Sequence, residues 1–233
     1  MKNKTLLFQL KLFLLLVAII SCSDKESHDI SYSVPHVISV IEENKAYRSP
    51  QLTGKEFSEA IQRLGIKTII NLQGERPEES WYVEEKKATE SAGIALVNIR
   101  MKPSRLPHRK DLLKLLDTFK SAKRPILIHC ASGADRTGEA SALYQMIYMG
   151  KSREEALQML TAKYYHNPQV TPAKRYFIRE VWQGEEWAYN KYDPCVQKYK
   201  YYKQDRLKNF VKKCRNVFCA IFKMRLPRPS GSA

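Results

Sequence analysis

A cysteine and an arginine lie six positions apart in the middle of the chain, where residues 129–138 read His-Cys-Ala-Ser-Gly-Ala-Asp-Arg-Thr-Gly. A thiolate at Cys130 is a strong nucleophile. The guanidinium of Arg136 stays protonated, and its planar fork can bind two oxygens of a phosphoryl group. These residue types predict attack of a sulfur nucleophile on a phosphoester, with Cys130 and Arg136 around the same tetrahedral dianion.

The residues between this pair are predicted to form a phosphate-binding loop. A strand delivers Cys130 into the turn and a helix starts close to Arg136, so backbone N–H groups lack helical partners and can point at a dianion. Gly133 would permit the tight turn, Thr137 could donate a hydrogen bond to the sulfur, and His129 could fix the loop by bonding its backbone. The predicted substrate-binding residues are Ala131, Ser132, Gly133, Ala134, Thr137 and His129.

The segments around this loop alternate between short apolar runs and amphipathic stretches. Strand-like runs cover residues 36–41, 66–72, 94–99 and 125–129. Helix-like stretches cover residues 53–64, 78–92, 107–121, 136–149, 152–164 and 171–187. Continuously apolar strands are typical of a sheet covered on both faces, and alternation of strands with helices is typical of α/β folds. The sequence therefore predicts an α/β domain whose central, mainly parallel sheet has four to five strands flanked by helices.

The residues from His129 to Gly138 match the signature His-Cys-x-x-Gly-x-x-Arg-Thr-Gly, so the chain resembles the protein tyrosine and dual-specificity phosphatase superfamily. Segments 47–51 and 65–72 look like the N-terminal half of bacterial and fungal dual-specificity-like enzymes. The resemblance implies a dual-specificity-phosphatase-like fold and hydrolysis of phosphomonoesters through a phosphocysteine intermediate, with no metal or cofactor. Two other interpretations stay open: sulfur transfer, against which the Arg-Thr-Gly ending argues, and phosphate binding without turnover.

The general acid that protonates the leaving group is less clearly marked. Many members of the superfamily carry an Asp on the loop before the helix that precedes the signature strand, but residues 101–108 contain none. Asp135 is favoured because it lies inside the phosphate-binding loop, although it could instead brace that loop. The alternatives are Asp111, one turn into the next helix, and His108, on the preceding loop itself.

The substrate class implied by the resemblance is a phosphorylated protein or a small phosphoester, with phosphotyrosine or dual specificity favoured. Phosphoinositide-cleaving relatives often carry Lys inside the loop, whereas this chain has Ala131, Ser132 and Ala134 there. Phosphoinositides and inositol phosphates are therefore the alternative. Four cations could line the pocket or be solvated surface charges: Arg76, Lys102, Arg105 and Arg109.

The first 22 residues predict a processed targeting segment. Lys2 and Lys4 precede an apolar run that is too short to span a bilayer comfortably. Residues 19–22 read Ile-Ile-Ser-Cys, which resembles the lipobox of bacterial lipoproteins. The resemblance implies lipidation of Cys22 and a location in the cell envelope, anchored at the periplasmic or extracytoplasmic face of a membrane. A secretory signal or a short membrane anchor is the alternative.

Four segments are predicted on this basis: a lipoprotein signal peptide over 1–22, a tether over 23–35, a phosphatase domain over 36–188 and a basic amphipathic extension over 189–233. Apolar residues recur at helical spacing in the extension, from residue 206 onward. This pattern predicts either contact with anionic lipid or packing on the phosphatase domain. Cys195 could form a disulfide with Cys214 or Cys219.

The chain of 233 residues carries 40 Lys and Arg against 24 Asp and Glu, a formal net charge of +16. Such an excess favours anionic partners. Nucleic acid is disfavoured, because the sequence has no zinc-ligand spacing, RNA-binding signature or glycine-rich basic repeat. The predicted partners are therefore a phosphorylated substrate and a membrane surface.

Overall fold

The computed structural model of the chain describes residues 37–195 together with Tyr199 and Tyr201. The predicted signal peptide, the tether and most of the C-terminal extension lie outside these residues, as do Cys22, Cys214 and Cys219. Lipidation, the amphipathic helix and the disulfide to Cys195 therefore stay predictions. No helix in the described part of the chain combines the length and the apolar character needed to cross a bilayer.

Five short strands form the central sheet: β1 (Ser39–Glu42), β2 (Ala46–Ser49), β3 (Thr68–Asn71), β4 (Ala95–Asn98) and β5 (Ile126–His129). Their order is β1-β2-β5-β3-β4, with β1 antiparallel to β2 and all other neighbours parallel. All residues of β2, β3 and β5 are buried, as expected for strands covered on both faces. The predicted α/β fold is confirmed, and β5, which leads into Cys130, is its central strand.

Helices cover both faces of this sheet. Alternate strand residues face opposite layers: Ile69 of β3 packs with α1 and α2, and Ile70 packs with α3 and α4. A capping box begins α1, since the Thr53 hydroxyl accepts the Glu56 N–H and the Glu56 carboxylate accepts the Thr53 N–H. The helices are α1 (Gly54–Leu64), α2 (Ser80–Ser91), α3 (Arg109–Ser121), α4 (Asp135–Tyr148), α5 (Arg153–Ala156), α6 (Pro172–Tyr176) and α7 (Glu185–Asn190).

Three elements differ from the sequence prediction. Strand β2 has no counterpart among the predicted strands, because the buried Arg48 interrupts its apolar pattern. The helix predicted over 152–164 is reduced to α5 and two short 3-10 turns, Leu157–Met159 and Ala162–Tyr164. The helix predicted over 171–187 is divided into α6, a π-helical turn (Phe177–Val181) and α7.

Arginine side chains explain both breaks, because they replace the hydrogen bonds that a continuous helix would make. Arg175 donates to the carbonyl oxygens of Leu157 and Leu160, at 3.0 and 2.9 Å. Arg153 donates to the carbonyl oxygens of residues 179 and 182, at 2.9 and 2.8 Å. Such long-range contacts are not visible in a local sequence pattern.

The core continues past residue 188, where the sequence places the end of the phosphatase domain. Tyr192 and Tyr199 are buried in the same apolar cluster as Phe177 and Trp182. The hydroxyl of Tyr192 donates to the carbonyl oxygen of Pro107 at 2.7 Å. The first part of the predicted extension is therefore packed against the loop that precedes α3.

A buried ion pair joins α4 to α6. Lys174 Nζ donates to Glu139 Oε2 at 2.7 Å, and both side chains are fully buried. Burial raises the pKa of Glu139 to about 7, in spite of the adjacent ammonium. Glu139 lies one turn after Asp135 on α4, so the pair fixes the first turns of the helix that follows the predicted phosphate-binding loop.

Candidate active site

The predicted phosphate-binding loop, residues 130–136, lies at the carboxyl end of β5, where ligands usually bind in parallel α/β sheets. Backbone contacts to the ends of both neighbouring strands fix where the loop begins. The N–H of Gln51, after β2, donates to the carbonyl oxygen of Ala131 at 3.1 Å. The N–H of Leu72, after β3, donates to that of His129 at 2.9 Å. The loop is thus held between the ends of β2 and β3.

Two glycines of the motif are required by close backbone approaches. Gly133 has a φ of +70°, in the left-handed region that favours glycine. A Cβ on it would also lie 2.7 Å from the nitrogen of Pro50 and 2.9 Å from the carbonyl oxygen of Ser49. Gly138 is required by packing alone, because a Cβ there would lie 2.7 Å from the carbonyl oxygen of Met159.

Helix α4 begins directly from the loop without a side-chain cap. The residue before it is Ala134, whose methyl group cannot accept hydrogen bonds from the first N–H groups. Those donors are therefore available to an anion, as at many helix N-termini that bind phosphate. Cys130 lies at the other end of the loop, with 1% of its surface exposed.

Two buried polar atoms of the motif, Arg136 Nε and Thr137 Oγ1, bond no other group among the described residues. Arg136 Nη1 lies 3.3 Å from the carbonyl oxygen of Leu72, at the end of β3. Buried polar groups are nearly always hydrogen-bonded in folded proteins. Uncommitted donors on both residues are what binding of a phosphoryl group would require, and the structure places them at the same end of β5 as Cys130.

His129 is held by a carboxylate that the sequence analysis does not identify. Its Nε2 lies 2.9 Å from Oε1 of Glu85 in α2, and both side chains are fully buried. Asn71 and Gln51 donate to the other carboxylate oxygen at 3.4 Å. The predicted bonds from His129 to the loop backbone are absent among the described residues, and Nδ1 has no partner there. The imidazole is therefore oriented from Glu85.

A second arginine lies against the loop and is also missing from the predicted site. Arg48 in β2 is 2% exposed. Its Nη2 donates to the carbonyl oxygen of Gly133 at 2.6 Å, and its Nη1 to that of Met159 at 2.8 Å. Its guanidinium lies 3.9 Å from the centre of the Tyr164 ring. The motif Tyr-Arg-Ser-Pro at 47–50 is the sequence signal that could have pointed to it.

Arg48 keeps its positive charge at neutral pH although it is buried. Burial lowers its pKa to about 10, while the nearby Tyr164 and Cys130 act in the opposite direction. Both of its hydrogen-bonded partners given above are neutral carbonyl groups, so its charge is not neutralised by them. A buried cation beside the loop favours binding of an anion there.

Comparison with known proteins decides the family. Residues 26–180, more than half of the chain, match a family described as a DSP-PTPase phosphatase fused to NAD+ kinase. The chain belongs to this dual-specificity-like phosphatase family. It is accordingly a cysteine-dependent phosphatase and a phosphoric monoester hydrolase. No curated protein matches the chain.

Solved structures of phosphatases share the fold. The core catalytic domain of the PP-IP phosphatase SIW14 from S. cerevisiae is 23% identical with a TM-score of 0.52, over 78% of this chain and 94% of that one. A putative phosphatase from Shewanella putrefaciens is 18% identical with a TM-score of 0.50, over 62% of this chain and 88% of that one. At such identities the likeness shows the fold.

The carboxylate of Asp135, the favoured general acid, is already engaged. Its Oδ1 lies 2.7 Å from Nδ1 of His166 and 2.6 Å from the hydroxyl of Thr171. Burial by itself would raise the pKa of Asp135, but the hydrogen bonds from His166 and Thr171 outweigh it and lower this pKa. A general acid has to be protonated before it reacts. These contacts favour the other role predicted for Asp135, which is to brace the loop.

The two alternative acids lie at the start of α3. His108 is the residue before the first turn, and its carbonyl oxygen accepts the N–H of Leu112. Asp111 is half-buried in the first turn, and burial raises its pKa although His108 and nearby lysines act against this. The charge of Lys174 influences the pKa of both Asp111 and Asp135. The pKa of Asp111 is therefore shifted in the direction that an acid requires.

The loops after β3 and β4 carry a group of positive charges. Partial burial, followed by repulsion from four arginines, lowers the pKa of Lys102. Arg109 lies elsewhere, because its guanidinium donates to the carbonyl oxygen of Tyr189 in α7. Within the described residues, no group of three or more His, Cys, Asp and Glu side chains could hold a metal ion. The four arginines that act on Lys102 are Arg100, Arg105, Arg76 and Arg136.

Replacement of Arg48 by Lys should slow the phosphatase although the positive charge is kept. A lysine cannot bond the carbonyl groups of Gly133 and Met159 with one rigid fork. A displacement of the loop of about 1 Å can cost on the order of 100-fold in rate. We expect kcat/KM for p-nitrophenyl phosphate to fall about 100-fold, measured beside the free energy of unfolding. Unchanged kcat/KM in a folded variant would show that the loop does not depend on Arg48.

Replacement of Asp135 by Asn should destabilise the protein in a pH-dependent way. Because its pKa is lowered on folding, the carboxylate adds stability above the unfolded value near 4, and this stability is lost as the pH falls through the folded value. We expect a loss of about 1–2 kcal/mol at pH 7, which shrinks towards pH 3, in urea unfolding at several pH values. Asp111→Asn is the control. Because the pKa of Asp111 is raised on folding, the stability lost in this variant should be smaller at pH 7 than at pH 3. A loss in Asp135→Asn that does not shrink towards pH 3 would contradict an ionised Asp135.

Proposed function

We propose that the phosphatase transfers a phosphoryl group from its substrate to Cys130 Sγ and then to water. The loop between β5 and α4 carries this proposal, because it combines the thiol, Arg136 and the uncapped helix N-terminus. First the thiolate attacks phosphorus and the ester P–O bond breaks, while the leaving oxygen takes a proton from the general acid. Water then attacks phosphorus, the S–P bond breaks, and the same residue accepts a proton. Inorganic phosphate is released.

The loop would supply most of the stabilisation of the transition state in both steps. The guanidinium of Arg136 and the N–H groups at the start of α4 can bond the equatorial phosphoryl oxygens, on which negative charge is concentrated. The hydroxyl of Thr137 can donate to the sulfur when the S–P bond breaks, since no described group occupies it. Both sets of donors are held in place before the substrate arrives, which limits reorganisation during the reaction.

We propose Asp111 as the general acid in place of Asp135. The raised pKa of Asp111 favours the protonated form, whereas hydrogen bonds keep Asp135 ionised. Asp111 also follows the loop over 101–108, which corresponds to the segment that carries the acid in many members of the superfamily. The role of Asp135 would then be to hold His166 and Thr171 against the start of α4.

Phosphotyrosine remains the first candidate substrate, and the positive charges around Lys102 support a second. A phosphotyrosine side chain needs one phosphate-binding loop and no further cations. The group that lowers the pKa of Lys102 includes Arg136 itself, so these cations lie within electrostatic reach of the bound phosphate. Small substrates with several phosphate groups, such as inositol phosphates, would use them. The S. cerevisiae protein of similar fold is described as a PP-IP phosphatase.

We also propose that the phosphatase is anchored in the cell envelope through a lipidated Cys22. This proposal is supported by the Lys residues, the short apolar run and the Ile-Ile-Ser-Cys sequence in the first 22 residues. A diacylated cysteine would provide the two acyl chains that stable anchoring requires.

The phosphatase should hydrolyse p-nitrophenyl phosphate, and Cys130→Ser should reduce its turnover by about 10⁴-fold or more while inorganic phosphate still binds. Cys195→Ser is the matched control and should keep full activity. The values of kcat/KM for a phosphotyrosine peptide, a phosphoserine peptide, a phosphoinositide and inositol hexakisphosphate then rank the substrate classes. Binding of phosphate by a wild-type protein that turns over none of these compounds would instead indicate a non-catalytic module.

Replacement of Asp111 by Asn should reduce kcat in a manner that depends on the leaving group. A phosphotyrosine peptide needs a proton on its leaving oxygen more than p-nitrophenyl phosphate does, since nitrophenolate is the better leaving group. We expect a loss of about 10²-fold or more for the peptide and a smaller loss for p-nitrophenyl phosphate. Asp135→Asn serves as the comparison. If Asp135→Asn shows the leaving-group dependence and Asp111→Asn does not, the acid is Asp135.

A further inference from the structure

A small cavity opens beside the phosphate-binding loop. Its volume is about 180 Å³, and its walls include Ser132 and Gly133 from the loop. The turn after α5 contributes Lys163, Tyr164 and Tyr165. Because the cavity shares two residues with the loop, a group inside it would be close to a phosphoryl group bound by that loop.

The cavity and the Lys102 charges lie on opposite sides of β5. The sheet order places β2 on one side of the central strand and β3 followed by β4 on the other. The cavity wall includes Ser49 and Pro50, at the end of β2. Lys102 follows β4, and Arg76 follows β3. A substrate phosphate at the loop would therefore have cations on both sides.

The walls of the cavity are suited to an anion. Lys163 Nζ lies 5.2 Å from the centre of the Tyr164 ring, and it forms no ion pair with a carboxylate of the described residues. Arg48 also lines the cavity, and its hydrogen bonds given above are to neutral carbonyl groups. The hydroxyl groups of Ser39 and Ser132 are further donors. Positive charge and hydroxyl donors without acidic residues favour a phosphate or a carboxylate.

The turn that carries Lys163 is held in a specific position relative to the loop. Tyr165 has a φ of +60° and is 86% exposed, a backbone conformation that is uncommon for a residue other than glycine. The next residue, His166, is buried and bonds Asp135 at the start of α4. Tyr164 stacks on Arg48. Asp135 of the loop and Arg48 of β2 thus anchor the residues on either side of Tyr165, and strain of this kind concentrates at functional sites.

We infer that this cavity is a second substrate subsite, which binds an anionic group of the same molecule whose phosphoryl group reacts at Cys130. The inference rests on the proposed function. At about 30 Å³ for each water, 180 Å³ corresponds to about six water molecules. That is space for one phosphate or carboxylate, and less than the ~300 Å³ of a small site for a whole ligand. Lys163 would be its principal charged residue.

The inference is tested by binding to Cys130→Ser protein, in which ligands are not turned over. Calorimetric titrations would compare this protein with a Cys130→Ser, Lys163→Gln double variant. We expect the Kd of inositol hexakisphosphate to rise about threefold to tenfold, the effect of one charge-assisted hydrogen bond. The Kd of inorganic phosphate at the loop, where Arg136 and the helix N-terminus bind it, should stay within about twofold. A phosphotyrosine peptide with flanking Glu residues distinguishes a carboxylate from a second phosphate as the occupant.

Lys55→Gln in the same background controls for the loss of one positive charge. Lys55 is an exposed residue of α1, paired with Glu59, and should leave every Kd unchanged. Lys163→Arg should restore affinity. Equal losses for inorganic phosphate and the larger ligands, equal losses in Lys55→Gln, or unchanged Kd values for both larger ligands would each overturn the subsite. Turnover of p-nitrophenyl phosphate by the wild type tests the proposed function separately.

Discussion

The phosphate-binding loop depends on a guanidinium that lies outside it. Arg48 holds the carbonyl group of Gly133 from one side, and the left-handed conformation of that glycine permits the loop to pass against the end of β2. The hydrogen bond from Arg48 fixes the orientation of the Gly133 carbonyl group. This contact fixes the loop and at the same time places a permanent charge near Cys130, at the cost of a buried cation bonded to neutral carbonyl groups.

Buried acidic and basic groups are paired around the loop, each on a different element. Glu85 orients His129 from α2, His166 bonds Asp135 at the start of α4, and Lys174 bonds Glu139 one turn further on. The carboxylate of Asp135 is favoured by the positive end of the helix dipole but would repel a bound phosphate dianion. The hydrogen bonds from His166 and Thr171 offset that repulsion, and they also connect the loop to the turn that forms the neighbouring cavity.

The segment after residue 188 contributes to the same architecture. Tyr192 is buried and bonds the carbonyl group of Pro107, directly before α3. Tyr189 donates from its hydroxyl to Asp117 of α3, and Arg109 at the start of that helix donates to the Tyr189 carbonyl group. Since Asp111 lies in the first turn of α3, these contacts determine where the proposed general acid is held. The start of the predicted extension is thus packed on the helix that carries the proposed general acid.

Local sequence was enough to determine the nature of the chemistry and most of the fold. Cys130, Gly133 and Arg136 lie in one short segment, so their spacing alone predicts the loop, and most of the strands are short, continuous apolar runs. Only the tertiary structure decided the roles of residues distant in sequence. Arg48, Glu85 and His166 reach the loop from separate elements, and no local pattern records such contacts. The pKa directions of Asp135 and Asp111 likewise depend on burial and on partners brought together by folding. The sequence could therefore name both as candidate acids but could not predict in which direction the pKa of each is shifted.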